Sequence, residues 1–301
     1  MSVRTRADRR RPGRDTPSPL YAVPALAFFV AFALVPLVGV LVLSFADWDG
    51  LSDPSWAGMQ NWRDALAREQ TYDGIVLSCQ FMALSWLVQT PISLLLGVFV
   101  AERSRYRAVM SVLMFLPLLL SAAAIAIAYK ALLDPNFGAG SSLGIDVLVQ
   151  DWLGSPDLAF YVVVFVVAWQ FVPFHTLLYQ AATRQIPTSM YEAATIDGAG
   201  RVSQFLHITL PQLRNTLVTS STLMVVGSLT YFDIVFVLTG GGPGTATMLL
   251  PLDMYLSGFS SNDMGLGSVL AVLLVLLGLG IALVLTKVTG FNRMRSDLEG
   301  A

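Results

Sequence analysis

Few side chains in this sequence could act on a covalent bond, and their spacing argues against most reactions. His175 and His207 are the only histidines and lie far apart in the chain, too few and too distant for a metal cluster. The single Cys79 can form neither an intrachain disulfide nor a cysteine metal site. The run Gly240-Gly241-Gly242-Pro243 has the composition of a phosphate cradle but lacks the lysine that a P-loop carries after its last glycine. An intramembrane enzyme would need a nucleophile, base or metal set, and His175 has no visible partner for that work. Recognition is the chemistry left over. Trp169, Gln170, Tyr231 and Asp233 bring aromatic faces and hydrogen-bonding groups into otherwise apolar runs.

Those runs must position them. With 55% hydrophobic and only 13% charged residues, the chain has more apolar surface than a soluble globule can hide, and the excess must face lipid. The expected fold is all-α, a polytopic membrane protein of six transmembrane helices at about 20–45, 75–101, 108–133, 158–182, 214–238 and 265–288. Each run suffices to cross ~30 Å of hydrocarbon at 1.5 Å per residue. Pro36, Pro91, Pro117 and Pro173 fall inside four of them, which a bundle tolerates when neighbours satisfy the freed carbonyls. Residues 1–19 are arginine-rich and broken by prolines, a disordered tail, and 289–301 form a second tail. Arg9-Arg10-Arg11 also fits a twin-arginine export signal, but the apolar run from Leu20 is too long for a cleaved signal core.

Charge orients the bundle. With the N-terminus inside, fifteen of the 18 lysines and arginines fall on the cytoplasmic side, leaving Arg63, Arg68 and Lys130 outside. Both termini and the 183–213 loop are then cytoplasmic. Asp134, Asp146, Asp151, Asp157, Asp253 and Asp263 lie on the opposite side, as does a tryptophan-containing segment, 47–73, suited to anchoring at the interface. The glycines after Thr239 predict a turn-rich outer loop to Asn262.

Between the fourth and fifth runs, Ser189 and Glu192 have the spacing of a capping box, predicting a short helix from about Met190 to Gly198. A second short helix follows from about Arg201 to His207, and Thr209 with Pro211 marks the next start. The product is a helix-turn-helix knob between two spans. Here Glu192, Ala193, Ala194, Gly198, Ile208, Leu210 and Pro211 match without a gap the cytoplasmic signature of permease subunits of binding-protein-dependent ABC importers, and the sequence resembles that family from about Leu20 to Val288. Ile196-Asp197-Gly198-Ala199 and Leu238-Thr239-Gly240-Gly241-Gly242-Pro243 resemble its carbohydrate-importing branch, of the maltose and glycerol-phosphate type.

The resemblance implies a transport subunit of a prokaryotic cytoplasmic membrane with no nucleotide site of its own. ATP and magnesium would be held by a separate cytoplasmic ATPase dimer, acting on this chain and a second permease, and an extracytoplasmic binding protein would deliver the solute. Glu192, Ala193, Ala194, Asp197, Gly198, Ile208, Leu210 and Pro211 would form the ATPase-coupling surface, although Glu192 could equally cap its own helix. Trp169, Gln170, Tyr231 and Asp233 would line the path, sugars being bound by hydroxyl-directed hydrogen bonds and an aromatic platform. The polar stripes Trp169, Pro173, Thr176, Gln180, Thr183 and Thr219, Thr222, Thr230, Asp233 also suit plain interhelical packing, and Asp233 could instead accept hydrogen bonds from the Thr239–Pro243 amides. A secondary transporter would more often show inverted repeats or several buried charges.

Overall fold

Two long helices packed side by side form the axis of the molecule. In a computed structural model that describes residues 19–102, 104–145 and 149–289, they are α3 (Glu69–Ala101) and α7 (Pro156–Thr183). The 33 residues of α3 give a rod of ~50 Å at 1.5 Å per residue. Its buried positions are mostly small or polar, among them Ser78, Ser85, Gln89, Ser93 and Gly97, as expected where helices approach closely without a hydrophobic drive between them. At Gly97 the approach is extreme: a Cβ there would stand 2.5 Å from the Cβ of Tyr179 and 2.9 Å from the carbonyl oxygen of Thr176.

Around this pair, α1 (Leu20–Leu43) and α14 (Met264–Thr289) flank the bundle, and none of the most apolar stretch of α1 is buried by protein. Between them, α2 (Gln60–Ala67) and a two-stranded hairpin, β1 (Ala46–Asp47) with β2 (Ser55–Trp56), cover the end where α3 begins. The hairpin turn is tied by Asp49, whose carboxylate accepts the Ser52 and Leu51 amides and the Ser52 hydroxyl and is thereby held down to about 2. Trp62 donates to Ser44 and Trp48 to the carbonyl of Ser52, while Trp56 stays exposed.

The third apolar run is not one straight span. It comprises α4 (Arg105–Leu119) and α5 (Ala122–Leu132), bent by 96° at the break, and the short α6 (Ala139–Leu143) follows it. Pro117 supplies no amide to the helix there, and Ser121 starts α5 by accepting the Ala124 amide. The fifth run is likewise two pieces, α11 (Arg214–Ser228) and α12 (Asp233–Leu238), separated at 229–232, where Thr230 bonds back to the Gly227 carbonyl by both its amide and its hydroxyl. Asp233 therefore opens a helix, where a carboxylate is favoured, instead of interrupting one. Among the described residues, four helices are long and apolar enough to cross a membrane, five if the bent pair counts as one span.

Gly240 and Gly241 turn the chain as expected, but only to Leu249; Pro251 in the first turn then starts α13 (Leu250–Tyr255), which continues through a wider turn to Ser260. The core joins Phe81 of α3, Val163 and Val167 of α7, Ile125 of α5 and Val235 of α12. The arginine-rich tail 1–18, the tail from 290, Arg103 and Asp146 lie outside the described residues.

Candidate functional site: the knob and the polar path

The knob is built as a helix, a left-handed turn and a second helical arm. Its first helix, α8 (Thr188–Ile196), starts after Pro187 and has no side-chain cap, so the expected Ser189–Glu192 capping box does not form. Pro187 occupies the cap position, and Ser189 already lies within the first turn. The other end is closed as predicted. Gly198 has φ of +80°, Gly198 N–H donates to the Thr195 carbonyl and Ala199 N–H to that of Ala194, the two bonds of a Schellman motif.

The second arm runs from α9 (Arg201–Gln204) through a wide turn, Phe205–Thr209, into α10 (Leu210–Gln212). Thr209 does not cap this arm. It is buried, and its hydroxyl meets that of Tyr191 at 2.9 Å. Gln204 Nε2 crosses the turn to the Thr195 hydroxyl at 3.1 Å and the Ala199 carbonyl at 3.0 Å. These ties hold both arms as one body. Leu210 packs at its root against Leu94 of α3, Tyr179 of α7 and Leu213.

The root is also fastened by polar contacts. The last carbonyls of α3 have no partners within their own helix. Gln180 Nε2 donates to the Val100 carbonyl at 2.9 Å, Arg184 Nε to that of Ala101 at 3.1 Å, and an Arg107 guanidinium nitrogen to that of Phe99 at 2.8 Å. Arg107 also pairs with Glu102. A cavity of about 830 Å³ lies between this helix end and the knob, lined by Arg107, Arg184, Tyr191 and Arg201 among others.

Most of the signature residues lie on the outer face of the knob. Glu192, Ala193, Asp197, Gly198 and Pro211 are exposed, Ala194, Ile208 and Leu210 half-buried. Ile196 and Val202, also on the knob, are 87% and 73% exposed.

The four path residues are not brought into one site. Trp169 meets Tyr129 edge-on at 5.4 Å and lines an apolar groove of about 540 Å³ with Pro117 and Pro173. Gln170 is buried, its amide 3.4 Å from the Leu120 carbonyl left free at the bend of the third run. Tyr231 turns inward and stacks on Phe171 at 4.6 Å, so it and Trp169 form no common platform. Asp233 is exposed and takes no part in holding the Thr239–Pro243 turn, which is closed by Thr247 bonding Thr239 at 2.7 Å and the Gly242 carbonyl at 2.9 Å. Pro173, Thr176 and Gln180 are buried, while Thr219 and Thr222 bond carbonyls of their own helix. The His175 ring meets the Ser220 hydroxyl at 2.9 Å, and no metal-binding group of three side chains occurs among the described residues.

Residues 91–289, which include the whole knob, match the family described as binding-protein-dependent transport system inner membrane component. The chain belongs to that family. It is similar to the trehalose/maltose transport system permease protein MalF of Thermococcus litoralis, 30% identical over 279 residues that cover 91% of this chain and 94% of the relative. The diacetylchitobiose uptake system permease protein DasB of Streptomyces coelicolor is 31% identical over 272 residues, 87% of this chain and 83% of the relative. Among solved structures, a bacterial ABC transporter involved in the import of the acidic polysaccharide alginate superposes with a TM-score of 0.80 at 22% identity, covering 92% of this permease and 96% of that chain, which establishes the shared fold. As a permease of this family it is a multi-pass membrane transport subunit, and the ATPase is a separate subunit.

Proposed function

We propose that this permease carries a carbohydrate inward across a prokaryotic cytoplasmic membrane, with both termini and the knob in the cytoplasm. A binding protein delivers the solute on the other side, a second permease completes the path, and a cytoplasmic ATPase dimer drives it through the knob. The observation that carries this reading is the knob itself: a braced two-armed body whose Glu192, Ala193 and Asp197 face outward while its root is locked to α3 and α7. Glu192 forms no capping box, leaving its carboxylate for a basic group of the ATPase. Displacement of such a body moves the helices it is rooted in, because packed elements shift as units. The carbohydrate class is supported by relatives named for trehalose/maltose and diacetylchitobiose transport. No cofactor is assigned to this chain; ATP and magnesium belong to the partner.

Gly198→Asp tests the coupling role. No atom lies within 4 Å of a Cβ at Gly198, so the variant fits its own chain sterically, while the left-handed backbone there resists any side chain. Membrane abundance is expected to persist while ATPase copurification or sugar uptake is lost. Normal uptake at normal abundance would remove the knob from the mechanism.

A further inference from the structure

The cavity at the root of the knob gathers more positive charge than the chain itself neutralises. Three guanidinium groups line it, each from a different element: Arg107 from the first turn of α4, Arg184 from just past the end of α7, and Arg201 from the start of α9 on the knob. Among the described residues of the lining, Glu102 is the one carboxylate, and it pairs with Arg107. Arg184 uses its Nε and one terminal nitrogen on the Ala101 and Val100 carbonyls. A guanidinium carries five N–H donors, so Arg107 and Arg184 both keep donors in reserve. The Arg201 guanidinium has no hydrogen-bond or ion-pair partner among the described residues.

Part of the lining is apolar. Val98 and Phe99 come from the last turn of α3, and Phe205 faces them from the second arm of the knob. The Arg107 guanidinium lies over the Phe99 ring, 4.6 Å from its centroid, so charge and apolar surface meet inside one cavity. Glu102 follows directly on the apolar end of α3, which places the cavity where a span leaves hydrocarbon for water. Its volume of about 830 Å³ lies within the ~300–1,000 Å³ usual for small-molecule sites. A metal cation would be repelled, and a neutral sugar would leave the excess charge unmatched. An acidic side chain of the ATPase would match the charge and leave Val98, Phe99 and Phe205 against water. A phospholipid carries a phosphate joined to apolar chains, and it satisfies both halves.

We propose that this cavity binds an anionic phosphate group, held by Arg201 from the knob and by Arg107 and Arg184 from the spans. Guanidinium forks match phosphate oxygens in pairs and keep their charge at every working pH. The same chemistry is offered by an acidic phospholipid of the inner leaflet and by free phosphate, and the apolar half of the lining selects the lipid. The proposal rests on the reading of the knob as the cytoplasmic foot of a membrane permease. A phosphate held in this way bridges the knob to the ends of α3, α4 and α7, so the composition of the surrounding leaflet enters the attachment of the knob to its spans.

The test places the assembled importer in nanodiscs of phosphatidylcholine with or without phosphatidylglycerol, counts the phosphatidylglycerol retained by native mass spectrometry, and repeats the count with inorganic phosphate as a soluble probe. Arg201→Gln removes no contact among the described residues, so the variant is expected to fold and to keep its ATPase. Wild type should retain phosphatidylglycerol, and Arg201→Gln should bind it about tenfold more weakly, the effect of losing one charge-assisted hydrogen bond. Arg201→Lys, which keeps the charge without the fork, should fall between them. Arg105→Gln, at an exposed cation outside the lining, should retain the lipid as wild type does and so separates the cavity from general surface charge. Binding of inorganic phosphate that depends on Arg201 where no lipid is retained supports the site and assigns it to the soluble source. Equal retention by wild type and Arg201→Gln, or retention of neither probe by wild type, overturns the site. Loss of the ATPase from Arg201→Gln in phosphatidylcholine alone also overturns it, in favour of an acidic contact on the ATPase. The lipid is counted whether or not sugar moves, so a wild-type importer that retains it through Arg201 and takes up no sugar supports the site and overturns the carbohydrate reading.

Discussion

Arg68 and Asp253, 185 residues apart in sequence, meet at 3.2 Å where α3 begins, joining the start of that helix to α13. Asp253 is the buried partner, 1% exposed against 31% for Arg68, and it also accepts the Gln70 amide at 2.9 Å. Burial pushes its carboxyl above the ordinary range, and the opposing pull of Arg68 does not cancel that. The pair therefore fixes the base of the helix that carries Tyr255, and consumes one of the three cations expected on that side.

The two partners are not equivalent under mutation. Arg68→Ala strands a buried carboxylate and is expected to cost about 3 kcal/mol, whereas Asp253→Asn keeps acceptors for Gln70 and returns Arg68 to water at a cost near 1 kcal/mol. The sign with pH follows from the raised value: the stabilisation is fully present below the unfolded pKa of about 3.9 and is lost as pH rises through the higher folded value. Unfolding midpoints in detergent across mildly acid pH should fall less steeply for Asp253→Asn than for wild type. Equal costs for both variants would contradict the assignment of Asp253 as the group whose burial dominates.

Gly97 and Gly280 make a matched pair. A methyl at Gly97 would enter the backbone of α7, and Gly97→Ala is expected to destabilise by about 1 to 3 kcal/mol. At Gly280 nothing lies within 4 Å, and Gly280→Ala should be neutral or stabilising by up to about 1 kcal/mol. Thermal unfolding of the purified chain distinguishes them, and equal midpoints would mean that α3 and α7 are not in backbone contact at that level.

Orientation is testable with single cysteines in a Cys79→Ala chain. Gly200→Cys, on the knob, should resist an impermeant thiol reagent in intact cells, and Ser260→Cys, at the end of the turn that continues α13, should react. Both positions are exposed on this chain, and reaction of Gly200→Cys once the cells are permeabilised separates sidedness from coverage by the ATPase. Labelling of the Gly200→Cys variant from outside would invert the topology.

The knob was legible because turn chemistry is local: Gly198 announced its left-handed backbone, and Pro211 the start of the arm that leads into α11. The capping box misled because Ser189 and Glu192 have the right spacing, while Pro187, two residues earlier, takes the cap position. The breaks in the third and fifth runs escaped because hydropathy counts apolar residues and is blind to bends, although Pro117, Ser121 and Thr230 marked them. The fifth-run break also hid the path. A continuous helix would relate Tyr231 to Asp233 by helical phase; the turn instead sends Tyr231 toward Phe171 and stacks Phe232 on Phe236. Long-range ties such as Arg184 to the end of α3 have no sequence signature at all.

The interruption at 229–232 separates two differently anchored pieces of one apolar run. Up to Ser228 the chain from the knob is one continuous helix. Beyond it α12 is moored elsewhere, to the core through Ile234, Val235 and Leu238. Only the 229–232 turn joins the two pieces, so a displacement at the knob end of α11 is not obliged to carry α12 and Asp233 with it.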